Sequence, residues 1–90
     1  MEEKRSLRDE EKVPIVAPLK VLDQKTINKR FGWWSCVVLL ESYGRKQVCF
    51  YLWQKREEGG WKRKQKFAIH SQEDWELIQD AVSGIIKELT

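Results

Sequence analysis

The sequence predicts an α+β domain, an antiparallel sheet of three to four strands followed by one long C-terminal amphipathic helix packed on one face. Three observations carry that expectation. Segments rich in aromatic and β-branched residues alternate with a two-residue period over 33–41, 47–55 and 61–69. Turn-forming glycines separate them. Residues 71–90 then switch to apolar positions three and four apart, the period of a helix with one buried face.

At 90 residues, with 41% hydrophobic and 34% charged content, the chain has the size of a single domain. Residues 1–12 are almost wholly polar and are expected to form a mobile charged tail, leaving 13–90 as the domain. In 13–18, Pro14 and Pro18 bias their predecessors to extended geometry, so this stretch is expected to be an extended lead-in. A first, weakly alternating strand follows over 20–27. In 33–41 the even positions Trp34, Cys36, Val38 and Leu40 are all apolar and are assigned to the core. Ser42 to Arg45 supplies a turn in which Gly44 can take a positive φ.

In the next strand Val48, Phe50 and Leu52 are assigned to the core, which leaves Cys49, Tyr51, Trp53 and Lys55 on the opposite face. Gly59-Gly60 reads as a two-residue hairpin turn. The last strand, 61–69, then points Phe67 and Ile69 inward and Lys62, Lys64 and Lys66 outward. That turn sets Trp53 opposite Lys66, Lys55 opposite Lys64 and Glu57 opposite Lys62. Ser71 and Asp74 form a capping signal for the helix, whose stripe runs through Trp75, Ile78, Val82, Ile85 and Leu89. Trp75 and Trp34 are expected in the core.

Charge is unevenly distributed. Residues 41–66 hold eight Lys and Arg against three acidic groups, whereas 71–90 hold Lys87 against five. A basic sheet and an acidic helix are implied. One helix covers one face, so the other is expected to present interleaved lysines and aromatics. Phosphates need charge and unpaired bases need stacking planes, so this pattern suits a single-stranded nucleic acid better than a duplex. The alternative is a protein-interaction or assembly module whose aromatic face is a subunit interface, and RNA is the alternative nucleic acid.

Other classes are disfavoured. The longest apolar run, 36–40, is far below the roughly 20 residues of a membrane span. No apolar run follows Met1, so the chain is expected to be intracellular, in the cytoplasm or nucleoid, or the nucleus of a eukaryote. Cys36 and Cys49 lack metal-ligand spacing and read as packed thiols. With His70 the only histidine, neither a metal site nor a nucleophilic dyad is readily assembled. The chain is therefore expected to be no enzyme and to need no cofactor, metal or small-molecule substrate.

The segment from Tyr43 to Leu89 resembles the transcriptional positive-cofactor-four family of single-stranded DNA binders, the group allied to the plant whirly proteins. The similarity rests on Tyr43-Gly44-Arg45-Lys46, the strand from Val48 to Trp53, and the hairpin Glu57-Glu58-Gly59-Gly60. The basic strand Lys62 to Ile69 and the helix start Ser71-Gln72-Glu73-Asp74-Trp75 complete it. It implies a curved four-stranded sheet, a C-terminal helix and a homodimer that grips single-stranded DNA in a transcription-cofactor-like role. By position it assigns Tyr43, Arg45, Lys46, Trp53 and Lys66 to the DNA contact. The chain departs from the family in lacking a proline at the helix start and in being one residue longer between Phe67 and Trp75. The register of the last strand stays open. The ThermoDBP-type single-stranded DNA-binding proteins of hyperthermophilic archaea are similar in the same features. The residues expected to bind phosphate are Arg45, Lys46, Lys55, Lys62, Lys64 and Lys66, and those expected to stack bases are Trp53, Tyr51, Trp33 and Trp61.

Overall fold

The computed structural model describes residues 11–89. Most of the expected mobile tail lies outside them. Four strands, β1 (Lys20–Arg30), β2 (Trp33–Ser42), β3 (Arg45–Lys55) and β4 (Trp61–Ile69), precede helix α1 (Gln72–Ile85), which ends in a 3₁₀ turn over Ile86–Leu89. The strands form an antiparallel meander in the order β1-β2-β3-β4. This curved, open sheet followed by a helix is the α+β fold that the sequence predicts.

Two tight turns set the sheet. Phe31-Gly32 joins β1 to β2 and Tyr43-Gly44 joins β2 to β3, with positive φ at both residues of each pair: 57° and 79°, then 52° and 79°. This is the type I′ signature, whose twist matches that of paired strands. A two-residue turn at Tyr43-Gly44 pairs Ser42 with Arg45, and from there every even residue of β2 lies opposite an odd residue of β3. Hence Trp34 meets Trp53, Cys36 meets Tyr51 and Val38 meets Cys49.

That pairing corrects the expected faces. Trp34, Cys36, Val38 and Leu40 are buried as expected, but they share their face with Cys49, Tyr51 and Trp53, not with Val48, Phe50 and Leu52. What covers them is the N-terminal segment. Val13 is buried among them, and Ile15, Leu19, Val21, Trp61 and Ala68 pack around the cluster. The expected extended lead-in is thus a strap, held by a turn from Leu19 N–H to the Val16 carbonyl. Indole rings dominate this core. Trp34 lies 5.0 Å from Trp53 and 5.2 Å from Trp61 between ring centroids, and its Nε1–H donates to Thr26 Oγ1 at 2.9 Å. The buried indole is therefore satisfied.

The β3–β4 connection departs from a two-residue turn. Lys55 and Trp61 are its last pair, so Arg56 to Gly60 form the loop, closed by Arg56 N–H to the Gly60 carbonyl at 3.0 Å. Gly59 and Gly60 both take positive φ. A bulge follows, because Leu52 pairs with Gln65 but Trp53 pairs with Arg63, which leaves Lys64 as the extra residue. The expected pairs Trp53–Lys66, Lys55–Lys64 and Glu57–Lys62 do not form.

Ser71 caps α1 as expected, its Oγ accepting from Asp74 N–H at 3.0 Å. The helix meets the sheet by its first turns only. Trp75 packs on Phe50 with ring centroids 6.2 Å apart and, with Ile78, borders Phe67 and Leu52. No residue of α1 is buried, and Trp75, expected in the core, is 38% exposed. Most of the Phe50 face, including Trp33 and Phe67, consequently stays open. None of the described helices is long and apolar enough to cross a membrane.

Candidate nucleic-acid interface

Cross-strand register gathers basic and aromatic residues at one end of the sheet. Arg30 pairs with Trp33, Trp33 with Gln54 and Gln54 with Lys62, one row running across all four strands. The next row is Lys29, Trp34, Trp53 and Arg63. With strands about 4.8 Å apart, each row spans roughly 14 Å. Lys55, Arg56 and Trp61 close the same end, tied to the β1–β2 turn by Lys55 N–H donating to the Gly32 carbonyl at 2.8 Å.

Among the described residues, Arg30, Lys62, Arg63, Lys64 and Lys66 have no carboxylate partner, while Arg56 approaches Glu58 at 3.8 Å and Lys29 is bound by Glu11. β4 is an edge strand, and lysines on an edge also deter pairing with other chains. That duty alone does not explain the aromatics beside them. Phe31, at the tip of the β1–β2 turn, is 89% exposed and, with Asn28, Arg30, Trp33 and Ser35, lines a shallow pocket. A bulky side chain at positive φ is strained by roughly 1–2 kcal/mol, and such strain concentrates at functional positions.

The residues expected to bind are distributed as follows. Trp33, Lys55, Trp61, Lys62 and Lys64 come together at the basic end. Lys66 pairs with Tyr51 further along β4, its Nζ 5.7 Å from the Tyr51 ring. Tyr43, Arg45 and Lys46 sit at the opposite end of β2, roughly 30 Å away by strand rise, where Tyr43 is 89% exposed. Tyr51 and Trp53 are 4% and 1% exposed, which corrects their expected role as stacking platforms. Trp61 is half-buried and offers only part of its ring. Of the three lysines, Lys66 alone shares the face of Tyr51 and Trp53: Lys62 pairs with Gln54 on the Phe50 side, and Lys64 occupies the bulge.

Phe31, Lys29, Arg30 and Arg63 escaped the sequence reading. The signal for Phe31 was present, since Phe31-Gly32 repeats the aromatic–glycine pattern of Tyr43-Gly44. Arg63 pairs with Trp53 only because the bulge at Lys64 shifts the register of β4.

Glu11, within the expected tail, belongs to this end as well. Lys29 Nζ donates to its Oε1 at 2.7 Å and Trp61 Nε1–H to its Oε2 at 3.1 Å. The Lys29 hydrogen bond, then that of Trp61, holds the Glu11 carboxyl below its ordinary range, with Lys55 adding to the effect. A lowered carboxyl pKa stabilises the attachment above the ordinary range, and this contribution is lost as pH falls through the lowered value. Cys36 and Cys49 are buried thiols outside any disulfide, and burial pushes the Cys49 thiol up. Among the described residues no group of His, Cys, Asp and Glu side chains could hold a metal ion.

The fold and this surface define a small α+β domain with a basic, aromatic sheet end. Comparison with family models, curated proteins and solved structures gives no significant match.

Proposed function

We propose that the chain is a non-enzymatic single-stranded DNA-binding module of low sequence specificity, whose ligand crosses the basic end of the sheet. The observation that supports this reading most is the row Arg30, Trp33, Gln54, Lys62 with exposed Phe31 beside it. Phosphates meet Arg30, Lys62, Arg63 and Lys64, and bases stack on Phe31 and Trp33. Duplex is a poor fit, because its bases already stack on one another and α1 is acidic at its start, with Glu73 and Asp74 in the first turn. Tyr43 with Arg45 and Lys46 is a second basic–aromatic tip that a longer strand reaches.

A second reading, self-association, is favoured by one specific feature: beyond the contacts of Trp75 and Ile78, the apolar stripe of α1 and the turn after it is uncovered. Leu77, Val82, Ile85, Ile86 and Leu89 are all exposed, and an apolar groove of about 530 Å³ between Trp75, Phe50, Val37 and Leu39 lies beside the helix start. A second copy in two-fold arrangement supplies a like surface to cover both. The two readings use separate parts of the Phe50 face, the row at its Trp33 end and the groove beside Val37 and Leu39.

The test is quenching of tryptophan fluorescence on titration with unlabelled oligo-dT, oligo-U and duplex of equal length, repeated over a salt series. Binding to oligo-dT is expected, its log affinity falling with log salt by roughly 0.7 per phosphate neutralised. Replacing Lys62, Arg63 and Lys64 together by Gln should flatten that slope. A flat slope in the unsubstituted protein, or binding to duplex alone, contradicts the proposal; tighter binding to oligo-U makes RNA the ligand.

A further inference from the structure

The contacts of Glu11 have the form of an anion site already filled. Both carboxylate oxygens are held, one by the Lys29 ammonium at 2.7 Å and one by the Trp61 indole N–H at 3.1 Å. Lys29 Nζ also lies 4.1 Å from the Trp34 ring, and Lys55 Nζ is 5.8 Å from the Trp61 ring. Of the indoles beside these ammonium groups, Trp34 is fully buried in the core and Trp61 packs against it, so neither depends on Glu11 alone for its place. One ammonium and one N–H donor, each on a different one of two geminal oxygens, with the Lys55 ammonium near the Trp61 ring, also suit the two non-bridging oxygens of a phosphodiester.

Glu11 itself is loosely tied. Its side chain is 50% exposed and that of Lys29 34%, and half-exposed ion pairs contribute little to stability. Beyond the carboxylate, its backbone carbonyl accepts from Gln24 Nε2 at 2.8 Å. The first buried residue of the strap is Val13, two positions later. Glu11 can therefore leave while Val13 stays, and the aromatic core remains closed.

We propose that Lys29, Lys55 and Trp61 form a phosphate-binding site which Glu11 occupies in the free protein, so that the N-terminal segment competes in cis with an incoming single strand. The proposal rests on the single-stranded DNA reading, and deepens it by naming a site and its internal competitor. The site lies on the strap face at the same end of the sheet, whereas the row Arg30, Trp33, Gln54, Lys62 faces the other way, so a strand that crosses the row and turns round that end brings a backbone phosphate to Lys29. Binding then exchanges one anion for another at Lys29.

The experiment compares the full chain with Glu11→Gln, Lys29→Gln and the double substitution, each first checked for an unchanged circular dichroism spectrum. Glu11→Gln keeps the size of the side chain and removes the competing charge. It should tighten oligo-dT binding at low salt by roughly two- to fivefold, the worth of an exposed ion pair. The gain should vanish when Lys29→Gln is added. If the unsubstituted chain binds oligo-dT and Glu11→Gln leaves the affinity unchanged or weaker, the competition is overturned while the DNA reading stands.

If neither form binds oligo-dT, the DNA reading fails and the site is judged by inorganic phosphate, followed at the Trp61 indole N–H resonance. A phosphate-dependent shift in Glu11→Gln that disappears in the double substitution supports the site. No shift overturns it.

Discussion

Tyr51 and Trp53, two positions apart on β3, stack their rings 4.9 Å apart and 5° from parallel inside the core. Each closes a ring face of the other, and Trp34 packs against Trp53 from the neighbouring strand. The sheet face that carries them is the one the Val13–Leu19 strap covers. Aromatic density on β3 is therefore a stability feature first, and the proposed binding is assigned to the residues at its end and on the flanking turns.

Substitution at Trp53 should accordingly act on folding. Trp53→Ala removes a fully buried indole and should cost about 3–5 kcal/mol of stability. Trp75→Ala, on a half-exposed ring whose main partner is Phe50, should cost about 1 kcal/mol, the scale of an aromatic pair. Urea denaturation measures both. Equal costs would mean that the helix start is as tightly packed as the strap-covered face.

Phe31 offers the opposite combination. Its left-handed backbone suits Asn, so Phe31→Asn should raise stability by about 1 kcal/mol, seen as a higher midpoint in thermal unfolding. The same change should weaken oligo-dT binding by about 1–3 kcal/mol if the ring stacks a base. A gain in stability with no loss of affinity would leave the exposed ring without a role in binding.

The open helix predicts its own assembly state. Sedimentation at micromolar concentration should show a dimer, and Ile85→Glu, at a position exposed in the single chain, should yield a folded monomer. The parent chain sedimenting as a monomer would remove the self-association reading. A monomeric Ile85→Glu that keeps its oligo-dT affinity would show that the basic end works without a partner.

Much of this fold was legible in the amino-acid order. The alternation of β2 and β3, the Tyr43-Gly44 turn and the Ser71 cap all appear where local chemistry puts them, because each depends on residues near one another in sequence. Even the relative facing of β2 and β3 was implicit there. A two-residue turn at Tyr43-Gly44 obliges even residues of one strand to oppose odd residues of the next, so Phe50 was never free to share a face with Trp34. The expected core overlooked that constraint.

Local sequence determined the strands, their order, the positive-φ turns and the acidic, capped helix. The tertiary structure decided which of two apolar sheet faces is closed, since β3 alternates Val48, Phe50 and Leu52 with Cys49, Tyr51 and Trp53, and both sets are hydrophobic. The choice falls to whatever chain segment reaches a face, here Val13 to Leu19, far from β3 in sequence. The bulge at Lys64 and the placing of Glu11 against Lys29 and Trp61 are of the same kind. Each depends on contacts between distant residues, whose free energy exists only once the sheet has formed, and no window of neighbouring side chains encodes it.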